Sequence, residues 1–382
     1  MTVYLDNAAT AKIAKVAFDA MLPYLTDGYG NPSAIYTVGQ NAKKAVEDSR
    51  NIIAKAINAT PEEIYFTSGG TESINWAIKS TAEMLVSKGK HIITTKIEHP
   101  AVLETLKYLS EKHGYDITHL SVNELGQISL EELRSAIRDD TILITIMTAN
   151  NEIGTIMPVC EIGEIAKENN VLFHTDAVQA VGHIPVDVKK MNSSLLSFSG
   201  HKLGGIKGIG VLYIKDGIKL PPLIHGGGQE HGKRSGTENV PGIVSIGAVL
   251  EDVLPRLPLD EVARLRDKLI KGVLQIPKSR LTGDPVNRLP GVASFVFEGV
   301  EGESILLMLN QNGISASSGS ACTAGSLDPS HVLLALGLSH ETAHGSLRLS
   351  LSENTTDEEI DYVLEKLPEI IAKLRAMSPL WN

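Results

Sequence analysis

Four short spans of this sequence place reactive side chains beside small residues. The first, Tyr65-Phe66-Thr67-Ser68-Gly69-Gly70-Thr71-Glu72-Ser73, reads as a strand emptying into small residues and then a helix. Such a junction offers free backbone N–H groups and a positive helix end to an anion, and Thr71 adds a hydroxyl. It lacks the G-x-x-x-x-G-K-[ST] pattern of a nucleotide P-loop, and alone it would serve as well as an ordinary N-cap. In the second, Val171-Leu172-Phe173-His174-Thr175-Asp176-Ala177-Val178-Gln179, an acid follows an apolar strand directly. A carboxylate there stays ionised only with a cationic or hydrogen-bonding partner, and a protonated ring nitrogen is both. The third, Ser197-Phe198-Ser199-Gly200-His201-Lys202, ends in a lysine amid Gly204, Gly205, Gly208 and Gly210. A partly desolvated lysine loses basicity and condenses with aldehydes. Lysine in a glycine-rich loop is otherwise a solvated surface residue, so this reading leans on Asp176 one α/β unit upstream. The fourth, Ile97-Glu98-His99-Pro100, offers an imidazole that could stack on a planar group and move protons near neutral pH, or be simply structural.

The two cysteines form no C-x-x-C pair and cannot make a disulfide framework. Cys322 sits in Ala316-Ser317-Ser318-Gly319-Ser320-Ala321-Cys322-Thr323-Ala324-Gly325-Ser326, a run of small residues with little to pack, where a nucleophile is expected to be exposed. Cys160, in Met157-Pro158-Val159-Cys160-Glu161-Ile162, reads instead as a buried apolar residue. The stretch His340-Glu341-Thr342-Ala343-His344 matches H-E-x-x-H formally. It is short, has no evident third ligand and is flanked by Leu336, Leu338 and Leu347, so both histidines are expected to be structural and no metal site is expected.

The elements that must position these groups alternate short apolar strands with helical stretches from about Pro61 to Gly210. Strands are expected at Glu63 to Thr67, His91 to Thr95, Ile142 to Met147, Val171 to Thr175, Leu195 to Ser197 and Gly210 to Ile214. That rhythm implies α/β crossovers around a largely parallel sheet, with ligands at the strand C-termini. A long helix is expected at about Pro241 to Leu254, and the break Pro255-Arg256-Leu257-Pro258 then opens a smaller region of different rhythm. The stretch from Asp357 to Met377 reads as one amphipathic helix interrupted at Pro368.

Among the 382 residues, 45 acids outnumber 35 Lys and Arg, without the concentrated basic stripe that direct nucleic-acid binding requires. No apolar run reaches the length of a membrane span, and Met1 leads almost at once into strand-like Val3-Tyr4-Leu5, so the protein is expected to be cytoplasmic.

Taken together, these spans resemble the NifS/IscS-type cysteine desulfurases of the fold-type-I pyridoxal-phosphate superfamily. The resemblance runs from Tyr4-Leu5-Asp6-Asn7-Ala8-Ala9-Thr10 nearly to Trp381. It rests on Thr67 to Ser73, Asn150-Asn151-Glu152-Ile153-Gly154, Ser199 to Lys202, Arg234-Ser235-Gly236-Thr237 and Ser318 to Thr323, in matching order and spacing. It implies a large domain, residues 15–255, with a mainly parallel seven-stranded sheet, and a smaller α+β domain, residues 1–14 and 256–382, carrying the cysteine loop. It implies Lys202 as the Schiff-base lysine, Asp176 on the pyridine nitrogen, and Gln179 and Asn151 near the phenolic oxygen and substrate. Gly70, Thr71, Ser199 and His201 would take the phosphate, His99 would cover the ring, and Arg348 would clamp the substrate carboxylate. Thr237 would reach the phosphate of a neighbouring subunit, making a homodimer the expected unit. The reaction implied turns L-cysteine into L-alanine and leaves its sulfur on Cys322 as a persulfide, for an acceptor such as an iron–sulfur scaffold protein. A selenocysteine lyase or a class V aminotransferase would share the fold; an aminotransferase has no need of Cys322.

The sequence departs from the family pattern where Leu203-Gly204-Gly205-Ile206 follows the lysine, and where Tyr36 stands at a position often occupied by His. It also stops just past Trp381, whereas longer members carry a tail that docks the scaffold protein.

Overall fold

Apolar, β-branched runs buried on both faces are the signature of a helix-covered parallel sheet, and the computed structural model places them in one. It describes residues 1–318, 328–379 and 381. The chain opens with β1 (Val3–Tyr4), α1 (Lys15–Leu25) and α2 (Thr37–Ala56). Then come β2 (Ile64–Thr67), α3 (Gly70–Met84), β3 (His91–Thr95), α4 (Pro100–His113), β4 (Asp116–Leu120), α5 (Leu130–Ala136), β5 (Thr141–Thr145), α6 (Val159–Glu168), β6 (Leu172–Asp176), β7 (Leu195–Ser199) and β8 (Gly210–Ile214). Helices α7 (Val240–Val253) and α8 (Asp260–Val273) lead into β9 (Ser279–Leu281), β10 (Val292–Phe297), α9 (Gly302–Gln311), β11 (Ile314–Ser315), α10 (His331–Ala335), α11 (His340–His344), β12 (Ser346–Ser350) and α12 (Asp357–Met377).

Strands β2 to β8 form a seven-stranded sheet of order β2-β8-β7-β6-β5-β3-β4, in which β8 alone runs antiparallel to its neighbours. Every residue of β2, β3, β5, β7 and β8 is buried. Strand β4 is absent from the strands expected of the sequence: Asp-Ile-Thr-His-Leu is half polar because it pairs with β3 alone, at the sheet edge.

Three strands from the C-terminal third, β12-β10-β9, form an antiparallel sheet, with Arg348 opposite Ser294. The N-terminus joins this region. Strand β1 pairs in parallel with β11, Asp6 bridges to Ser350, and the Asn7 side-chain amide donates to the Ser350 carbonyl at 2.8 Å. Ala8 and Ala9 are thereby carried to the C-terminal ends of the large sheet.

Helix α12 corrects one expectation, because it runs unbroken from Asp357 to Met377 through Pro368. Proline deletes one helical hydrogen bond and crowds the preceding turn. The buried face of Val363, Leu367, Ile370 and Ile371, packed against α8 and α9, keeps the helix continuous. Cys160 is a second correction, being exposed rather than buried. The inward face of α6 is built from Val159, Ile162, Gly163, Ile165 and Ala166, which leaves Cys160 with Glu161 and Glu164 toward solvent. Partial desolvation and the nearby carboxylates of Glu161, Glu164 and Asp187 push its thiol above the usual range. In α11, Ala343 is the residue that packs inward, while His340 is exposed and His344 half-buried. Among the described residues, no group of three His, Cys, Asp or Glu side chains is placed to hold a metal.

Candidate active site

The C-terminal ends of β2, β5, β6 and β7 open onto a cavity of about 300 Å³. Its wall includes Gly70, Thr71, His99, Asn151, Asp176, Gln179, Ser199, His201, Lys202 and Arg348. Residues chosen from scattered motifs therefore meet in one place. The wall also contains Ala8, Ala9, Ile74, Met147, Ala149 and Val178, which carry no reactive group and are assigned no role from the sequence. Thr237 is not part of this wall and is exposed. Cys322 lies outside the described residues.

Lys202 follows β7 on a single 3₁₀ turn, Gly200–Lys202. Its Nζ donates to the carbonyls of Ala8 and Ala9, both at 2.7 Å. The glycine-rich stretch behind it is tied down, with the Ala14 N–H donating to the Gly204 carbonyl and the Gly205 N–H to that of Gly200. Gly204 has φ +100°, which glycine adopts without a Cβ penalty.

Asp176 ends β6 and is buried, its carboxylate accepting the Val178 N–H at 2.9 Å. Burial pushes its pKa up, against the opposing pull of the His99 and Lys202 charges. His99 caps α4, its Nδ1 accepting the Ala101 N–H at 3.1 Å. Burial lowers its pKa, with Lys202 and His331 adding to the effect and Asp176 opposing it, so the neutral ring carries its proton on Nε2. Burial, helped by Lys202 and Lys207, lowers His201 to about 4, and its Nδ1 lies 3.2 Å from the Thr10 hydroxyl.

Arg348, buried on β12, gives Nη2 to Asp6 at 2.9 Å and Nη1 to the Asn151 carbonyl at 2.9 Å. Its Nε is buried without a partner. Asn151 belongs to a loop whose next residue, Glu152, accepts the Ser330 hydroxyl at 2.5 Å. Burial raises Glu152 to about 7. The described residues on either side of the span containing Cys322 are both tied to this end of the cavity. Ser317 exchanges backbone hydrogen bonds with Arg348, and Ser330 holds Glu152.

Comparison with known proteins identifies the family of the chain. The class-V aminotransferase family model matches residues 3–363. The cysteine desulfurase IscS of Methanosarcina thermophila is 57% identical over 382 residues, covering 99% of this chain and 94% of that protein. Among solved structures, a NifS-like protein superposes with a TM-score of 0.92 at 40% identity, covering 98% of this chain and 100% of that one. A structure of SspA in complex with cysteine gives 0.83 at 39% identity, covering 92% and 99%. The chain belongs to the class-V aminotransferase family. It is a pyridoxal-phosphate enzyme with the fold-type-I architecture.

The residues present fit that cofactor. A buried carboxylate with one backbone donor suits a protonated ring nitrogen. A Cβ at Gly70 would stand 2.8 Å from Val178 Cγ2, so a larger residue would have to displace Val178 in the cavity wall at the start of α3. The first-turn N–H groups of that helix, with Thr71, Ser199 and His201, supply donors for a phosphate.

Proposed function

We propose that this enzyme acts on L-cysteine and that the residues walling its cavity divide that task among them. It is a cysteine desulfurase, producing L-alanine and passing the sulfur to Cys322. One arrangement carries the reading of the site: Lys202, Asp176 and Arg348, drawn from the two sheets, face one cavity of cofactor size.

Lys202 would hold the aldehyde of pyridoxal phosphate, Asp176 would face its ring nitrogen, and His99 would cover the ring. Gln179 and Asn151 would lie near the phenolic oxygen, while Gly70, Thr71, Ser199 and His201 would receive the phosphate. When bound, the cofactor supplies an electron-accepting ring conjugated with the substrate amino group. Arg348 binds the substrate carboxylate, its guanidinium already oriented by Asp6 and the Asn151 carbonyl. Lys202 removes the Cα proton. Cys322 attacks the substrate sulfur as a thiolate, so that a sulfur–sulfur bond forms on Cys322 while the substrate Cβ–S bond breaks. The ties of Ser317 to Arg348 and of Ser330 to Glu152 support assigning the sulfur-accepting role to Cys322.

A second copy of the chain supplies Thr237 to the phosphate, making the working unit a homodimer. We take residues 15–255 as the cofactor domain, and 1–14 with 256–382 as the second. The persulfide is then collected by an acceptor protein such as an iron–sulfur scaffold, in the cytoplasm. No helix among the described residues is long and apolar enough to cross a membrane. Equal alanine and persulfide sulfur released from L-cysteine, with the persulfide mapped by mass spectrometry to Cys322, is the expected result. Persulfide on Cys160 alone, or alanine without bound sulfur, would overturn it.

A further inference from the structure

The segment of residues 224–239 is largely exposed and leads to Thr237, yet its backbone is not relaxed. Three successive residues, Glu230, His231 and Gly232, have φ values of 48°, 56° and 76°. The first two are not glycine, and left-handed backbone costs such residues on the order of 1 kcal/mol each. Something must hold them there.

What holds them is buried. Glu230 turns inward from this exposed run, and its side chain and that of Arg50 on α2 are each 3% exposed. The two meet as a fork, with Arg50 Nη2 to Glu230 Oε1 at 2.8 Å and Nη1 to Oε2 at 3.0 Å. Glu230 Oε2 also accepts the Phe66 N–H of β2 at 2.8 Å, and Arg50 Nη1 donates to the Ile64 carbonyl at 2.6 Å. Apart from Arg50 Nε, which reaches the partly exposed Glu47 carboxylate at 3.2 Å, the polar atoms of the pair point into the folded body beside the sheet edge. From that anchor the segment is stapled to itself: the Lys233 N–H reaches the Glu230 carbonyl at 3.0 Å, the Ser235 hydroxyl reaches the Gly227 carbonyl at 2.8 Å, and the Gly236 N–H reaches Gln229 Oε1 at 3.2 Å. A second ion pair, Arg234 to Glu72 at 2.8 Å, lies half-buried, but Glu72 also accepts the Ser68 N–H at the start of the chain's own α3. The Arg50–Glu230 pair is tied instead to the backbone of β2, at Ile64 and Phe66, short of the cavity wall that begins at Gly70.

We infer that the buried Arg50–Glu230 pair holds residues 224–239 in the conformation that projects Thr237 outward, making Glu230 a positioning residue for the cofactor site of a second copy of the chain. This rests on the proposal that Thr237 serves the neighbouring site. Leaving one partner of a buried ion pair unmatched destabilises, whereas replacing both with apolar residues is often tolerated. Loss of fold and loss of positioning can therefore be separated.

The test uses purified dimers of Glu230→Gln, of the double variant Arg50→Met/Glu230→Leu, and of Thr237→Val. Cofactor affinity is read from visible absorbance, alongside oligomeric state and thermal midpoint. All three should bind cofactor about ten-fold or more weakly, the loss that release of one or two strained residues permits. The double variant, which leaves no unmatched charge, should lose less of its midpoint than Glu230→Gln while losing as much cofactor affinity. Heterodimers isolated through two tags then decide where Glu230 acts. Pairing Glu230→Gln with Lys202→Ala leaves one site with an intact Lys202 and an intact incoming segment, so about half the wild-type activity and one tightly held cofactor should return. If those heterodimers stay empty and inactive while Thr237→Val with Lys202→Ala recovers, Glu230 acts on its own subunit and the inference fails although Thr237 stands. Full cofactor affinity in the Thr237→Val dimer would instead overturn the reading of Thr237, and with it the positioning role of the Arg50–Glu230 pair.

Discussion

At the scale of single residues, the proposed mechanism divides into a proton step and a sulfur step, and the two reactive groups should fail differently. Lys202→Ala should lose the visible absorbance of lysine-bound cofactor and all turnover. Cys322→Ser should keep that absorbance and still respond spectrally to L-cysteine, yet release alanine at least about a hundred-fold more slowly, because a hydroxyl is far less ionised and less nucleophilic than a thiol. Cys160→Ser should release alanine at the wild-type rate, since its thiol sits on the solvent face of α6 among carboxylates that disfavour the thiolate. A different residue offers a pH test. Glu98, beside His99, accepts the Thr95 hydroxyl at 2.7 Å and the Met147 N–H at 3.1 Å, while its other oxygen is buried without a partner. Burial raises its pKa to about 8, aided by the charge of Asp176. A carboxyl whose pKa is higher folded than unfolded binds its proton more tightly in the native state, so its contribution to stability is lost as pH climbs from the ordinary carboxyl range through about 8. Glu98→Gln keeps the acceptor oxygen without the ionisation. Urea unfolding at about pH 5 and about pH 9 should show a smaller fall in stability for the variant than for the wild type. Equal falls would mean that Glu98 does not carry this pH dependence.

At the scale of elements, the sequence is readable where one rule decides the outcome. Strands β3 and β8 match their expected limits, because short β-branched or apolar runs bounded by polar or glycine residues fit a helix-covered sheet. The shared cavity position of Lys202, Asp176, Gly70 and Thr71 is legible because all sit at or just past strand ends, where motif and topology agree. What stays hidden depends on contacts distant in sequence. Nothing in Ala8-Ala9 announces that their carbonyls will hold an ammonium 194 and 193 residues away. Strand β4 escapes because an edge strand with one neighbour need not be apolar. Cys160 is misread because residue type alone does not tell which helical face it falls on. Pro368 misleads for a related reason, in that a local rule is overruled by the packing of the buried face of α12. That last case is testable. Pro368 is exposed, so Pro368→Ala should restore one backbone hydrogen bond without disturbing the core. Set against the entropy that proline removes from the unfolded chain, the net gain should be about 1–2 kcal/mol in urea unfolding. A loss of stability would show that the ring contributes packing of its own.

At the scale of the whole molecule, one surface remains to be matched with a partner. Phe18, Leu22 and Leu25 of α1 are 48%, 43% and 55% exposed, and their i, i+4, i+7 spacing puts them on one helical face. Ile13 and Val16 nearby, and Tyr29, Ile35 and Tyr36 in the following turn, are exposed as well. A soluble monomer rarely displays so many large apolar side chains in one stretch, and burial against a second copy would account for them. The adjoining residues, Ala11 and Ala14, are hydrogen-bonded to His201 and Gly204 on either side of Lys202, so this surface and the cofactor site share a scaffold. Introducing a charge should therefore weaken dimer and cofactor together. Leu22→Glu places a carboxylate in the centre of the face, where burial without a cation is costly. Light scattering should show a shift toward monomer on dilution, and the cofactor should dissociate over the same concentration range, if each site draws Thr237 from the other chain as proposed. A Leu22→Glu protein that becomes monomeric but keeps its cofactor at full affinity would detach this face from the site, and would leave Thr237 without its proposed role.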